Sequence, residues 1–365
     1  MGLRCGIVGL PNVGKSTLFN ALSNAKAEAA NYPFCTIEPN VGVITVPDHR
    51  LNILSGLVNP QKVLPTVIEF VDIAGLVKGA SKGEGLGNKF LANIREVDAI
   101  IHVVRCFADD NVVHVAGKVD PVSDKQIIDA ELQLKDLESV DKKISRVERT
   151  AKSGDAKAKK ELTTLLKYKS VLESGKNARS LDISEDDKKA VEDLFLLTAK
   201  PVIYAANVDE GSILTGNKYV DELRKEVAPE MAEIIMVSAA IESQIAELTD
   251  PEERKMFLAE YGLTESGLNR LIRASYDALD LITYFTAGEK EVRAWTIRKG
   301  WKAPQAAGVI HTDFEKGFIK AEVIKLKDFQ TYKNELGCRD AGKVAIEGKE
   351  YEVEDGDIMH FRFNV

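Results

Sequence analysis

Cysteine is scarce in this chain of 365 residues, which holds only Cys5, Cys35, Cys106 and Cys338. None stands in a C-x-x-C pair, and four are too few to staple a chain of this length. A disulfide scaffold and a zinc ribbon are excluded, and the four read as free thiols in a reducing compartment. No apolar run approaches the about 18 residues of a spanning helix. The Met-Gly-Leu-Arg-Cys-Gly start lacks a basic region followed by an apolar one, and Gly6 stands where N-myristoylation wants Ser or Thr. These absences point to a cytoplasmic protein without a membrane partner. Internal repeats and low-complexity tracts are missing too. Positive charge is not in excess: 49 Lys and Arg face 57 Asp and Glu, a net charge of −8. That excludes a generic polyanion binder. The surplus acid is local, because residues 196–280 hold 8 basic and 16 acidic residues while 1–120, 121–195 and 281–365 each balance.

What is present is the composition of a globular protein of two or three domains, 44% apolar and 29% charged. Short apolar runs recur at Leu3 to Val8, Val67 to Val71, Ala99 to Val104, Val202 to Ala206 and Ile234 to Val237, separated by helix-length segments. That alternation predicts an α/β fold with a mostly parallel sheet covered on both faces. The gap between the third and fourth runs is far longer than a crossover needs. It carries a helical stripe at Ala130, Leu134, Leu137, Val140, Ile144, Val147 and Ala151. After the Ser153-Gly154-Asp155 break a second stripe follows at Ala158, Leu162, Leu165 and Leu172. The simplest account is an inserted helical arm, an antiparallel coiled coil over residues 121–195, reaching roughly 40 Å. Between residues 142 and 160 lie eight basic residues against Glu148 and Asp155. A solvated helix face and a contact to phosphate both fit that surplus. From about Leu281 the texture changes to short strands with turn signals, predicting a separate α+β module over 281–365 with strands at Val292 to Ile297, Ile319 to Ile324, Lys343 to Ile346, Tyr351 to Val353 and Ile358 to Phe363. Residues 1–120 and 196–280 then form the nucleotide-binding domain.

Gly9-Leu-Pro-Asn-Val-Gly14-Lys15-Ser16-Thr17 matches the phosphate-loop pattern G-x-x-x-x-G-K-[ST], directly after an apolar strand and before a helical pattern. Backbone N–H groups of Asn12, Val13, Gly14 and Thr17 would converge on phosphate, with the N-terminus of the helix adding positive potential. Lys15 supplies charge to the β and γ oxygens, and the Ser16 hydroxyl is a ligand for Mg²⁺. Further metal contacts are expected from Thr36 and, through a water, from Asp72. In Asp72-Ile-Ala-Gly75 the Gly75 N–H would meet the γ-phosphate. Leu76 follows, where many signalling GTPases of this class carry a glutamine that orients the attacking water, so the catalytic polar group must come from elsewhere or hydrolysis is slow. His114, beyond the Ala99 to Val104 strand, reads from its pattern alone as a structural histidine.

The phosphate loop, Asn31-Tyr-Pro-Phe-Cys-Thr-Ile-Glu-Pro-Asn40, Asp72-Ile-Ala-Gly-Leu-Val, Gly83-Glu-Gly-Leu-Gly-Asn-Lys-Phe-Leu and Asp357-Ile-Met-His-Phe-Arg-Phe-Asn-Val365 together resemble the YchF family, the Obg-like ATPases. The resemblance spans residues 1 to 365. It implies a translation-factor class P-loop domain, a coiled-coil arm and a C-terminal TGS domain of β-grasp form. It also implies a monomer that binds ATP and ADP and engages the ribosome and its RNA through the arm and the TGS domain.

Ordinary GTPases read guanine with N-K-x-D, whose aspartate takes two hydrogen bonds from the base. Here the stretch is Asn207-Val208-Asp209-Glu210, and guanine should lose that bidentate partner. The resemblance implies ATP preferred over GTP, with the Val208 backbone reading adenine and Ser238 in the last base loop. It makes His114 a mobile catalytic histidine in place of the glutamine, and Asn12 a ligand for K⁺. Two rival readings remain: a GTP-specific switch with Glu210 reaching guanine, and a non-catalytic scaffold that binds RNA or the ribosome.

Overall fold

A computed structural model describes residues 3–24, 40–73, 91, 93–109, 111–112, 114 and 117–364. In chain order its strands are β1 (Arg4–Val8), β2 (Val41–Thr45), β3 (Val63–Leu64), β4 (Val67–Asp72), β5 (Ala99–Arg105), β6 (Val202–Asn207), β7 (Ile234–Val237), β8 (Leu281–Ala287), β9 (Val292–Arg298), β10 (Phe318–Lys325), β11 (Ala345–Glu347) and β12 (Asp357–Phe363). Helices α1 (Lys15–Asn24), α2 (His49–Val58), α3 (Pro121–Lys152) and α4 (Ala156–Glu173) are those the argument uses. The chain divides into two compact units, residues 1–44 with 69–271, and residues 45–68 with 272–365.

The first unit is built on a sheet of order β2-β4-β1-β5-β6-β7, in which β1 pairs in parallel with β4 and β5, and β5, β6 and β7 continue in parallel. All seven residues of β5 and all six of β6 are buried, as central strands of a parallel sheet should be, and the burial takes in His102, Arg105, Tyr204 and Asn207 along with the apolar residues. The sheet carries the fold class expected from the alternating runs.

The helical hairpin is present as α3 and α4, and its two stripes behave differently. From Leu137 onward the stripe of α3 packs as expected, with Val140 joining Leu165, Tyr168 and Leu172 in one core and Leu137, Ile144 and Val147 against it. Ala130 and Leu134 do not: both are exposed, Leu134 at 54%. The first four turns of α3 instead bury Asp124, Lys125, Ile128, Asp129, Leu132 and Asp136. Here the helix lies against the body of the unit, and its partners are polar. Lys125 Nζ bonds Asp129 and Glu230 at 2.6 Å each, and Arg179 meets Glu230 at 2.6 Å. Asp136 accepts from Leu197 N at 2.8 Å, Thr198 N at 2.7 Å and Thr198 Oγ1 at 2.6 Å. An apolar-stripe argument cannot find such a face, because these side chains are buried by pairing.

The second unit is a mixed sheet of order β11-β10-β12-β8-β9-β3, with β12 parallel to β8 and antiparallel to β10. Residues 351–353 form only an isolated bridge, Lys302 with Glu352, rather than the expected strand. Residues 45–68, grouped by the sequence reading with 1–120, fold here. Strand β3 lies parallel to β9, and Leu51 and Leu54 of α2 enter a core with Phe285, Val292, Ala294, Phe329 and Ile358. Asp48 caps α2, its side chain accepting from Arg50 N at 2.9 Å, and Arg50 reaches Asp355 at 2.7 Å.

Candidate nucleotide site

β1 runs into the Gly9–Gly14 loop, and α1 begins at Lys15 with its first helical bond from Leu18 N to Gly14 O at 3.0 Å. The N–H groups before Leu18 lack intrahelical acceptors, so they are available to an anion. The loop is tight. Gly14 has φ +93°, and a Cβ there would lie 2.2 Å from Asn207 Nδ2; a Cβ at Gly9 would lie 2.7 Å from Val103 O. Asn12 is exposed at φ +62° on the rim of the loop, while Val13 is buried.

Lys15, 9% exposed, is ion-paired with Asp72 at the end of β4. The cation assigned to phosphate and the carboxylate assigned to the metal water thus neutralise one another across the cleft. Ser16 and Thr17 are exposed on the first turn of α1. Hydroxyl and carboxylate oxygens in one cleft beside a phosphate cradle are a donor set suited to a hard cation held mainly by nucleotide and water. The described residues contain no group of three or more His, Cys, Asp and Glu fit to hold a metal without such help. Thr36 and Gly75, also expected at this site, lie outside the described residues, as does Leu76.

The base loops are knotted to the phosphate loop by Asn207. Its Nδ2 donates to Val13 O at 2.9 Å and its Oδ1 accepts from Ala239 N at 3.0 Å, so one side chain joins three segments. Val208 is 2% exposed, and its N–H is spent on Val237 O at 2.9 Å. Glu210 is exposed, with Tyr261 OH donating to it at 3.4 Å. Ser238, 1% exposed, has an Oγ without a hydrogen-bond partner, an unsatisfied polar atom in the loop expected to meet a base. Behind it Glu242 accepts from Gly267 N at 2.7 Å, and burial pushes its carboxyl up to about 7.

His114, expected as a catalytic histidine, is buried and paired in this arrangement. It is 7% exposed, with its Nε2 2.9 Å from Asp124 Oδ2 on the first turn of α3. Neither Asp124 nor Arg105, which orders the preceding loop, was found from the sequence. Arg105 closes an apolar strand and Asp124 lies four residues beyond a helix-capping Asp120. Both patterns are visible in the chain but ordinary.

A phosphate loop between β1 and α1, an aspartate at the end of β4 and base loops after β6 and β7 define the P-loop nucleotide-binding proteins of the GTPase class. The family model described as "50S ribosome-binding GTPase" matches residues 4–153, and the YchF-GTPase C-terminal model, described as "Protein of unknown function (DUF933)", matches residues 281–364. The chain belongs to the YchF family: it is 59% identical to the ribosome-binding ATPase YchF of Bacillus subtilis and 60% identical to that of Haemophilus ducreyi, over 100% of each chain. The structure of the Schizosaccharomyces pombe YchF GTPase superposes with a TM-score of 0.89 at 43% identity, covering 99% of this chain and 98% of that one.

Proposed function

We propose that this protein is a cytoplasmic, ribosome-binding ATPase that hydrolyses ATP with Mg²⁺ and prefers ATP to GTP. The observation that carries the base preference is the state of Val208. With its N–H given to Val237 O, the backbone there offers a base only its carbonyl. Adenine presents a donor, its 6-amino group, to such a carbonyl. Guanine presents the O6 acceptor instead, and two acceptors facing each other repel. Glu210, exposed on its turn, lacks the preset geometry of the aspartate it replaces. Ribosome engagement rests on the names of relatives alike along the whole chain, and on the charges of the arm.

In this reading ATP breaks the Lys15–Asp72 pair. Lys15 turns to the β and γ oxygens, and Asp72 is freed; Ser16 and Thr36 would hold the Mg²⁺, with Asp72 acting through a water. Bound Mg²⁺ withdraws charge from the phosphate oxygens. The Gly75 N–H would stabilise the γ-phosphate. The oxygen of a water forms a bond to the γ-phosphorus while the bond from that phosphorus to the β–γ bridging oxygen breaks. Its electron pair leaves with ADP, and the water proton passes to His114 or to phosphate. Asn12, at the rim of the loop, is the candidate ligand for K⁺.

The printed names of the relatives differ, ATPase for the bacterial proteins and GTPase for the yeast one, which keeps a GTP switch as the rival. Displacement of a fluorescent ATP analogue decides between them. ATP should displace it at least tenfold better than GTP, and equal or better displacement by GTP sinks the ATP reading.

A further inference from the structure

In the sheet of the C-terminal unit, β12 keeps a full partner on one side and loses the other. Toward β10 its register runs from Asp357 with Lys325 to Phe363 with Phe318. Toward β8 the parallel ladder holds one pair, Ile358 with Phe285, and among the described residues no further pair continues it. Strand β8 goes on instead with β9 alone, Thr286 opposite Arg293 and Ala287 opposite Val292. Past Ile358 the two neighbours therefore separate.

The backbone groups that face this opening follow from the alternation of a ladder. Gly288 and Glu291 exchange both hydrogen bonds at the β8–β9 turn, at 3.0 and 3.1 Å, so even-numbered residues of β8 face β9 and odd-numbered ones face β12. Just beyond β12, Asn364 N donates to Gly317 O at 2.9 Å on the β10 side, so odd-numbered residues of β12 face β8. The C=O of Met359 and the N–H and C=O of Phe361 thus point to where β8 has left. Their side chains are already placed, 2% and 7% exposed in a core with Ala303, Ala306 and Ala307.

The opening is a cavity of about 720 Å³, walled by residues 286–291 and 359–363 and completed by Ile310 and Phe314. Phe314 is half-buried and stacks on Phe363, ring centroids 3.7 Å apart, and Phe363 is itself 36% exposed. A main-chain edge beside an apolar well is what strand addition uses, hydrogen bonds giving affinity and the well receiving a side chain. The charges argue against a nucleic acid. Glu289 and Glu291 offset Lys290 and Arg362 in the lining, and Arg362 Nε already donates to Glu322 at 3.3 Å.

We propose that this cavity takes an extended peptide segment of a partner protein, which adds as a strand to the open edge of β12 from Met359 to Phe363 and sets an apolar side chain against Ile310 and Phe314. Five residues of strand span roughly 17 Å, so the recognised segment is short.

Amide hydrogen exchange in the whole protein reads the edge without any ligand. The Phe361 N–H should exchange at least tenfold faster than that of His360, which faces β10. The capped peptide Thr-Leu-Thr-Leu-Thr at millimolar concentration should then shift the amide signals of residues 286–291 and 359–363 and slow exchange at Phe361 at least tenfold. The same peptide with every amide N-methylated keeps its side chains and loses its donors, and should bind at least tenfold more weakly. Phe363→Ala should weaken binding at least threefold with ATP hydrolysis within twofold of wild type. Exchange at Phe361 as slow as at His360 overturns the proposal, as does a peptide that shifts none of these amides or binds equally well when N-methylated. A uridine hexanucleotide that shifts them where the peptide does not would assign the cavity to RNA and overturn it too.

Discussion

His102 shows how one residue can tie stability to pH. It sits in the fully buried β5, 2% exposed, its ring tilted against Tyr204 at 5.5 Å. Asp129 and Glu230 favour its protonation and Lys125 and Arg179 oppose it, so burial decides, pushing its pKa down from 6.5 to about 4. Between those values the unfolded chain binds a proton that the folded chain refuses. The stability this neutral ring contributes is therefore complete above pH 6.5 and is lost as pH falls toward 4, a total on the order of 3 kcal/mol. Urea unfolding at several pH values should show His102→Asn losing less stability than wild type across that window. Equal losses would mean that the ring is protonated in the fold. The sequence shows a histidine inside an apolar run, which marks it as buried. The mixed charges that cancel around it come from α3, Arg179 and Glu230, and none of them is near it in the chain.

At the scale of elements, the segment between β2 and β4 is the least expected part of the molecule. The sequence reading places it only within the nucleotide-binding domain of residues 1–120. In the fold, α2 completes the core of the C-terminal unit and β3 forms an edge of its sheet. Leu54 is 0% exposed in that core, so Leu54→Ala should cost about 2–5 kcal/mol. Both tryptophans of the chain, Trp295 and Trp301, lie in the same unit and give a fluorescence signal for its unfolding. A change under about 1 kcal/mol would mean that α2 contributes little there. The phosphate loop was legible because its pattern, the strand before it and the helix after it are contiguous. The root of α3 was not, since helical apolar spacing cannot report a face whose burial depends on ion pairs.

Over the whole molecule, a net charge of −8 conceals a basic region at the turn of the hairpin. The structure reduces the eight cations there to fewer free ones. Lys142 pairs with Glu138, Lys143 with Glu161, Lys152 with Glu148 and Lys160 with Asp187. Arg146, Arg149, Lys157 and Lys159 are exposed and make no ion pair among the described residues. If these four meet ribosomal RNA, replacing all of them by alanine should lower the slope of log affinity against log salt by about 3 in ribosome cosedimentation. Affinity for ATP should stay unchanged. A slope equal to that of wild type would assign the contact to another surface.

The chain by itself determined what is local: the strand periods, the phosphate loop, the departure from N-K-x-D at Val208 and Glu210, and the existence of a hairpin and a C-terminal module. These follow from spacing and from the chemistry of neighbouring residues. Tertiary structure decided which groups are spent on one another. Asn207 is given to Val13 and Ala239, Lys15 to Asp72, His114 to Asp124 and residues 45–68 to the C-terminal unit. Burial and the choice of hydrogen-bond partner depend on atoms supplied by distant parts of the chain, and no window along the sequence contains them.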